Sequence, residues 1–164
     1  MNLQPIENIE EIHADLKKFH LHLNRLITSI FSGSDIDQLA RHFSKDATLF
    51  GWSGNAMGDK EIVDHYAAEV RRVRDQVLGL KKVDIDTVQI NTHLSEDLKN
   101  AWVFGVQRIT YQGAAESESI LARFTYTLHR DDAYSKDWKI SHLHSSQERG
   151  FNCLPNAVDV TFTV

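Results

Sequence analysis

The sequence predicts one α+β domain, a cone-shaped, curved antiparallel sheet packed against N-terminal helices. Apolar residues in the first half recur every three or four positions, whereas after Leu80 they recur every second position. No proline lies between Pro5 and Pro155 to divide the two regions. Helices first and a strand meander afterwards is the order of an α+β domain with its helices on one sheet face. At 164 residues the chain is expected to be a single domain, with its core over about 8–147 and an extension over 148–164.

Ile9, Ile12, Leu16, Phe19, Leu23, Leu26, Ile27 and Ile30 fall on one stripe of a long helix, which Phe31-Ser32-Gly33 ends. Ser34 reads as the N-cap of a second helix, with Asp37 in capping-box position and Ile36, Leu39 and Phe43 as its buried edge. A short strand over 47–52 and a glycine-rich turn through Gly51, Gly54 and Gly58 follow. Asp59 then reads as the cap of a third helix that turns Ile62, Tyr66, Val70 and Val73 inward. Val83 and Ile85, then Val88 and Ile90, alternate with polar residues, and the change of phase at Asp86-Thr87 predicts a bulge. Strands over 101–112, 116–130 and 138–146 have hairpin-length connections, so they are expected to be antiparallel neighbours. Val158, Val160, Phe162 and Val164 alternate like an added strand suited to a sheet edge.

Composition narrows the partners. A net charge of −5 argues against nucleic acid and anionic membrane surfaces, which reward dense cationic patches. Arg71, Arg72 and Arg74, with Lys81 and Lys82, are diluted by Asp75, Asp84 and Asp86 and read as a solvated face. Cys153 is the one cysteine, which excludes an internal disulfide and any cysteine-based metal site and suits a reducing compartment. The acidic N-terminal stretch Met1 to Glu11 does not resemble a signal peptide, and no apolar run approaches the ~20 residues of a membrane span. The expectation is a cytoplasmic protein with no cofactor, no metal, no nucleic-acid partner and no membrane association.

Alternation places candidate site residues on one sheet face. Trp102, Phe104, Val106 and Arg108 share a parity, as do Glu118, Ile120, Phe124, Tyr126 and Leu128, and as do Trp138, Ile140, His142 and His144. Even-to-even pairing would gather Arg108, Glu118, His142 and His144 at the polar end of an apolar concave surface, with Tyr126, from the apolar part of that surface, as a fifth ligand-binding candidate. A one-residue slip would exchange Arg108 for Arg123. Arg108 with Glu118 reads either as a structural ion pair or as part of a site. His142 and His144 read as core histidines, as a ligand-contacting pair, or as metal ligands short of a third partner. Trp52, Trp102 and Trp138 read as core, and Asp46 and His65 as solvent-facing. No nucleophile elbow and no phosphate loop is present. The outer face, with Leu121 and Leu143 among Arg123, Thr125, Thr127, Lys139 and Ser141, reads as a homodimer surface.

Gly58-Asp59-Lys60-Glu61-Ile62 opening a helix, Val106-Gln107-Arg108-Ile109-Thr110, Glu116-Ser117-Glu118-Ser119, and the closing run Asp137-Trp138-Lys139-Ile140-Ser141-His142-Leu143-His144-Ser145-Ser146 carry a family likeness. Over residues 8–147 the chain resembles the nuclear transport factor 2-like (cystatin-like) superfamily. Its last strand looks like that of the SnoaL-like branch and is similar to the end of the calcium/calmodulin-dependent protein kinase II association domain. The resemblance implies a cone with a deep pocket, assembly through the sheet, and an arginine matching Arg108 directed into the pocket. It also implies two groups of relatives. Enzymes (ketosteroid isomerase, polyketide cyclases, scytalone dehydratase) need a pocket Asp or a His–Asp pair, where the derived face offers Glu118 and two histidines; the others bind or assemble. The expected function is that of a homodimeric protein binding a small anionic or carbonyl-bearing molecule. The alternatives are an isomerase, cyclase or dehydratase on the same scaffold, and a pure association domain.

Overall fold

The long apolar stripe of the N-terminus folds into helix α1, Ile9–Phe31, with Ile12, Leu16, Leu23, Leu26 and Ile30 buried along one side. A computed structural model describes residues 9–147; the expected strand over 158–164 and Cys153 lie outside the described residues. A 3-10 helix, Ile36–His42, replaces the expected second α-helix. Its cap is Asp35 rather than Ser34, whose place the shorter turn gives up: Asp35 Oδ1 accepts from the Asp37 N–H at 3.0 Å. Strands β1, Phe43–Gly51, and β2, Gly54–Met57, then form a hairpin leading to helix α2, Asp59–Gln76.

Asp59 is the first helical residue and not the cap. Gly58 holds that position at a φ of 86°, in the left-handed region that suits glycine. In place of a side-chain cap, the Glu61 carboxylate reaches back to accept the Met57 N–H at 2.9 Å. Three long strands follow, β3 Lys82–Leu94, β4 Asn100–Gln112 and β5 Ser117–His129, and β6, Lys139–Gln147, ends the described chain. The sheet order is β2-β1-β6-β5-β4-β3. All neighbours are antiparallel except β1 with β6, a parallel pair whose long crossover contains α2 and the meander. Helix α1 packs across β3, and α2 packs over β1 and β2. No helix among the described residues is long and apolar enough to cross a membrane.

Register is where the structure corrects the sequence reading. A four-residue turn joins Gln112 to Ser117, with the Gly113 N–H donating to the Glu116 carbonyl at 2.8 Å. It pairs odd residues of β4 with even residues of β5: Val103 with Tyr126, Ile109 with Ile120, and Tyr111 with Glu118. The inner face therefore takes buried Val103, Ile109 and Tyr111, and Trp102 and Phe104 turn outward at 37% and 42% exposure. Trp102 is thus not core, whereas Trp138 is buried as expected. A second shift, between Thr127 and Leu128 of β5, makes Ser141 the extra residue of β6. Trp138 and Ile140 face inward before it, and Leu143 and Ser145 after it. Leu143, expected on the outer face, is buried.

The bulge expected near Asp86-Thr87 is present one residue later. Thr87 pairs with Gln107 and Gln89 with Val106, leaving Val88 unpaired and 55% exposed. Beside it the β3 backbone presses on Gly105, where an added Cβ would lie 1.9 Å from the Gln89 carbonyl oxygen. Backbone cannot rotate away as a side chain can, so the bulge and the glycine require each other. Gly105→Ala is expected to lower stability by about 3 kcal/mol or more, or to prevent folding. Urea unfolding of the variant checks this, and a loss below ~1 kcal/mol would count against it.

Candidate functional site

Between α1, α2 and the inner sheet face the core stops short of closing. The gap is a small, partly open cavity of about 100 Å³. Its walls are mostly apolar: Leu23, Ile27 and Phe31 from α1, Leu49 from β1, Val83 and Ile85 from β3, and Phe124 and Leu143 from β5 and β6. The mouth lies at the β1–β2 turn, where Trp52, exposed Ser53 and half-buried His65 meet. His65 Nε2 is 3.4 Å from Ser53 Oγ. A mostly apolar cavity with a few convergent polar groups has the character of a small-molecule site.

The polar groups are few. Asn24, Tyr66, Glu69, Gln107, Tyr111, Tyr126 and Ser145 join the lining. Glu69 is held by Arg72, which donates Nε to Oε2 at 3.0 Å and Nη2 to Oε1. That double contact engages the carboxylate on both oxygens. Burial pushes the Tyr66 and Tyr126 hydroxyls well above the ordinary phenol range, and Tyr66 also raises Tyr126. Both remain neutral phenols.

Behind this wall lies His20 of α1, 1% exposed, with its ring stacked 4.4 Å from that of Phe124. Its Nδ1 is hydrogen-bonded to the Tyr126 hydroxyl. Its Nε2 lies 2.9 Å from Thr87 Oγ1 and 3.1 Å from Asn24 Nδ2. Loss of hydration lowers the His20 pKa to about 4, so the ring is neutral at physiological pH. One side chain thereby ties α1 to β3 and β5.

The five ligand-binding candidates do not share one site. Tyr126 lines the cavity. Glu118 shares its face but sits beside Tyr111 at the other end of the strand, outside the lining, with Oε2 buried and unbonded among the described residues. Arg108 pairs with Leu121 and Asp86 and is exposed on the outer face, so neither the Arg108–Glu118 ion pair nor an inward arginine forms. His142 and His144 are outer-face residues opposite Thr127 and Thr125. His142 Nδ1 lies 2.6 Å from Thr48 Oγ1, and burial, then His144, lowers its pKa. Two one-residue shifts account for all of this, because each sends a strand's alternation to the opposite face. His65, expected in solvent, lines the mouth; Asp46 is exposed as expected.

His20 and Asn24 were missed because only apolar residues on the α1 stripe were read. Their signal is present: Leu16, His20 and Asn24 follow one another at steps of four, inside the buried stripe. No group of three or more His, Cys, Asp or Glu suited to a metal occurs among the described residues. A second depression, lined by Lys18, His22, Lys136 and Trp138, is crossed by ion pairs from Asp15 to Lys18 and Lys136 at 3.3 and 3.8 Å.

A family model described as a SnoaL-like domain matches residues 21–149. No curated protein matches. Among solved structures, the chain is similar to a protein named as a calcium/calmodulin-dependent protein kinase II association domain from Xanthomonas campestris. That likeness is 16% identity over 83% of this chain and 87% of the other, with a TM-score of 0.65. It is also similar to a protein named as a scytalone dehydratase from Novosphingobium aromaticivorans (11% identity, 82% and 83% covered, TM-score 0.63). Nuclear transport factor 2 from Cryptosporidium parvum is a third such structure (13% identity, 90% and 99% covered, TM-score 0.62). At these identities the likeness is one of fold.

The buried neutral imidazole gives stability a pH dependence. His20 titrates near 4 in the folded chain and near its ordinary 6.5 when unfolded, so below 6.5 the unfolded state binds the extra proton. Stability should fall as pH drops from about 6.5 to about 4 and level off below, with His20 contributing about 3 kcal/mol. His42 and His142, also lowered, act in the same direction. Urea unfolding at pH about 7 and about 4.5 should show a larger loss for the wild type than for His20→Asn. Equal losses would contradict the account.

Proposed function

Because the chain belongs to the SnoaL-like family on the nuclear transport factor 2-like fold, we propose that its cavity binds a small, neutral, largely apolar molecule bearing a carbonyl group. The observation that carries this reading is the lining itself: apolar walls meeting neutral hydrogen-bonding groups at Tyr126 and Asn24. The anionic half of the expectation loses its support. No Arg or Lys lines the cavity among the described residues, and the lining carboxylate, Glu69, already occupies the neighbouring Arg72, so no cation is left for an anion. Binding is also favoured over acid–base catalysis. The described lining holds no aspartate, Glu69 is engaged by Arg72, His20 is neutral and sealed from the cavity's solvent, and His65 stands at the mouth against Ser53 with no carboxylate bonded to it among the described residues.

The same reading places a homodimer on the outer sheet face. Trp102, Phe104 and Val88 are exposed there, and aromatic residues are enriched at the centres of protein interfaces. The two faces would then divide the labour, the inner binding and the outer assembling. A cytoplasmic location fits the composition, as the single cysteine indicates.

Two measurements test the reading. The neutral ketone dye prodan should bind saturably with a blue shift of its emission, and Ile27→Trp, which fills the cavity, should weaken binding by at least about tenfold. Unchanged affinity in Ile27→Trp would exclude the cavity as the site. Light scattering should give twice the 18.8 kDa chain mass, and Trp102→Glu should return it to the single-chain value. A wild-type monomer at micromolar concentration would contradict the dimer.

A further inference from the structure

The bonds around His20 fix more than the position of α1. Asn24 Nδ2 lies 3.1 Å from His20 Nε2, and an amide nitrogen can only donate. A proton on Nε2 would set N–H against N–H in an apolar interior. Nε2 therefore accepts, sharing its lone pair between Asn24 and the Thr87 hydroxyl, and the neutral ring carries its proton on Nδ1. Nδ1 faces Tyr126, so the phenol oxygen accepts from it.

Two consequences reach the cavity. The Tyr126 hydroxyl has accepted one bond, and its own hydrogen has no acceptor among the described residues, so it is offered to whatever fills the cavity. Asn24 has committed its nitrogen to His20, and its carbonyl oxygen has no partner among the described residues, leaving an acceptor on the same wall. The two groups attach to nitrogens on opposite sides of one imidazole, which sets the Tyr126 oxygen roughly 7 Å from the Asn24 nitrogen, with Oδ1 on the other arm of that amide. The reverse tautomer would exchange donor and acceptor.

We infer that His20 is a positioning residue that makes the cavity selective for neutral ligands presenting a carbonyl oxygen at one end of a ring-sized skeleton and a hydroxyl or N–H donor at the other. The carbonyl accepts from Tyr126 and the donor reaches Asn24 Oδ1. Para-hydroxyaryl ketones are the simplest class with this spacing. The inference rests on the cavity being a binding site and adds the direction of its hydrogen bonds. Glu69, engaged by Arg72, leaves neither group a charged competitor in the lining.

Three probes separate the contributions. Para-hydroxyacetophenone carries both groups, para-methoxyacetophenone lacks the donor, and para-ethylphenol lacks the carbonyl. Calorimetric titration should show the first binding about tenfold more tightly than either of the others, one neutral hydrogen bond being lost in each case. Asn24→Leu should remove the difference between the hydroxy and methoxy compounds. His20→Asn, whose amide nitrogen can replace the Nδ1–H, should keep the preference for the ketone over ethylphenol, and His20→Phe should abolish it. Nitrogen NMR of histidine-labelled wild type, ligand-free, should show His20 protonated at Nδ1 whatever the probes do.

An Nε2–H signal for His20 overturns the inference, as does equal affinity for all three probes while prodan still binds. The cavity reading survives both results. If prodan also fails to bind, the cavity reading falls and the ligand preference falls with it.

Discussion

One buried, uncharged histidine ties the long helix of this fold to two strands of its sheet. His20 must reach the sheet from α1 without taking up a second ring proton, because its surroundings supply no counter-charge and leave it 1% exposed. Its partners come from three elements: Asn24 one turn along the same helix, Thr87 beside the β3 bulge, and Tyr126 in the middle of β5. Meeting all three holds the helix over the sheet at a distance that leaves a cavity toward its C-terminal end. Removing the ring would strand a phenol and an amide as well as lose packing, since a buried polar group without a partner is destabilising.

The bulges matter for the same reason. Without the unpaired Val88, Thr87 and Ile90 would fall on opposite faces, and β3 could not offer Thr87 to His20 while turning Ile90 against the main core. Gly105 is the complement on β4, where the crowded β3 backbone leaves no room for a Cβ. Near the other end of the sheet, Ser141 reverses the parity of β6. Leu143 and Ser145 therefore reach the cavity, whereas His142 and His144 join the outer surface with Thr48, Thr125 and Phe50. The sheet thus separates an inner, mostly apolar wall from an outer, histidine-bearing one.

The architecture was legible in the sequence, since period and element order depend on local chemistry that a single chain displays. The stripe from Ile12 to Ile30, the alternation after Leu80 and the bulge near Thr87 are all found in place. The site was not legible, because it depends on pairing. Arg108, His142 and His144 were placed by counting parity along strands, and a four-residue turn and one extra serine reverse that parity. Tyr126 survived because Phe124, Tyr126 and Leu128 are apolar enough to identify the inner face of β5 without reference to a neighbour. His20 and Asn24 were readable in principle, as polar residues at buried positions of an amphipathic helix.

The central claim is that ligands meet the inner face of the sheet and not the outer one. Backbone amide NMR of the protein titrated with prodan tests this most directly, because adjacent strand residues report opposite faces. The account predicts perturbations largest for residues around the cavity, Asn24, Gln107, Tyr126 and Leu143, with exposed His144 and Arg108 nearly unmoved. Shifts concentrated instead at Arg108, Thr125, His142 and His144 would contradict it and return the site to the outer face.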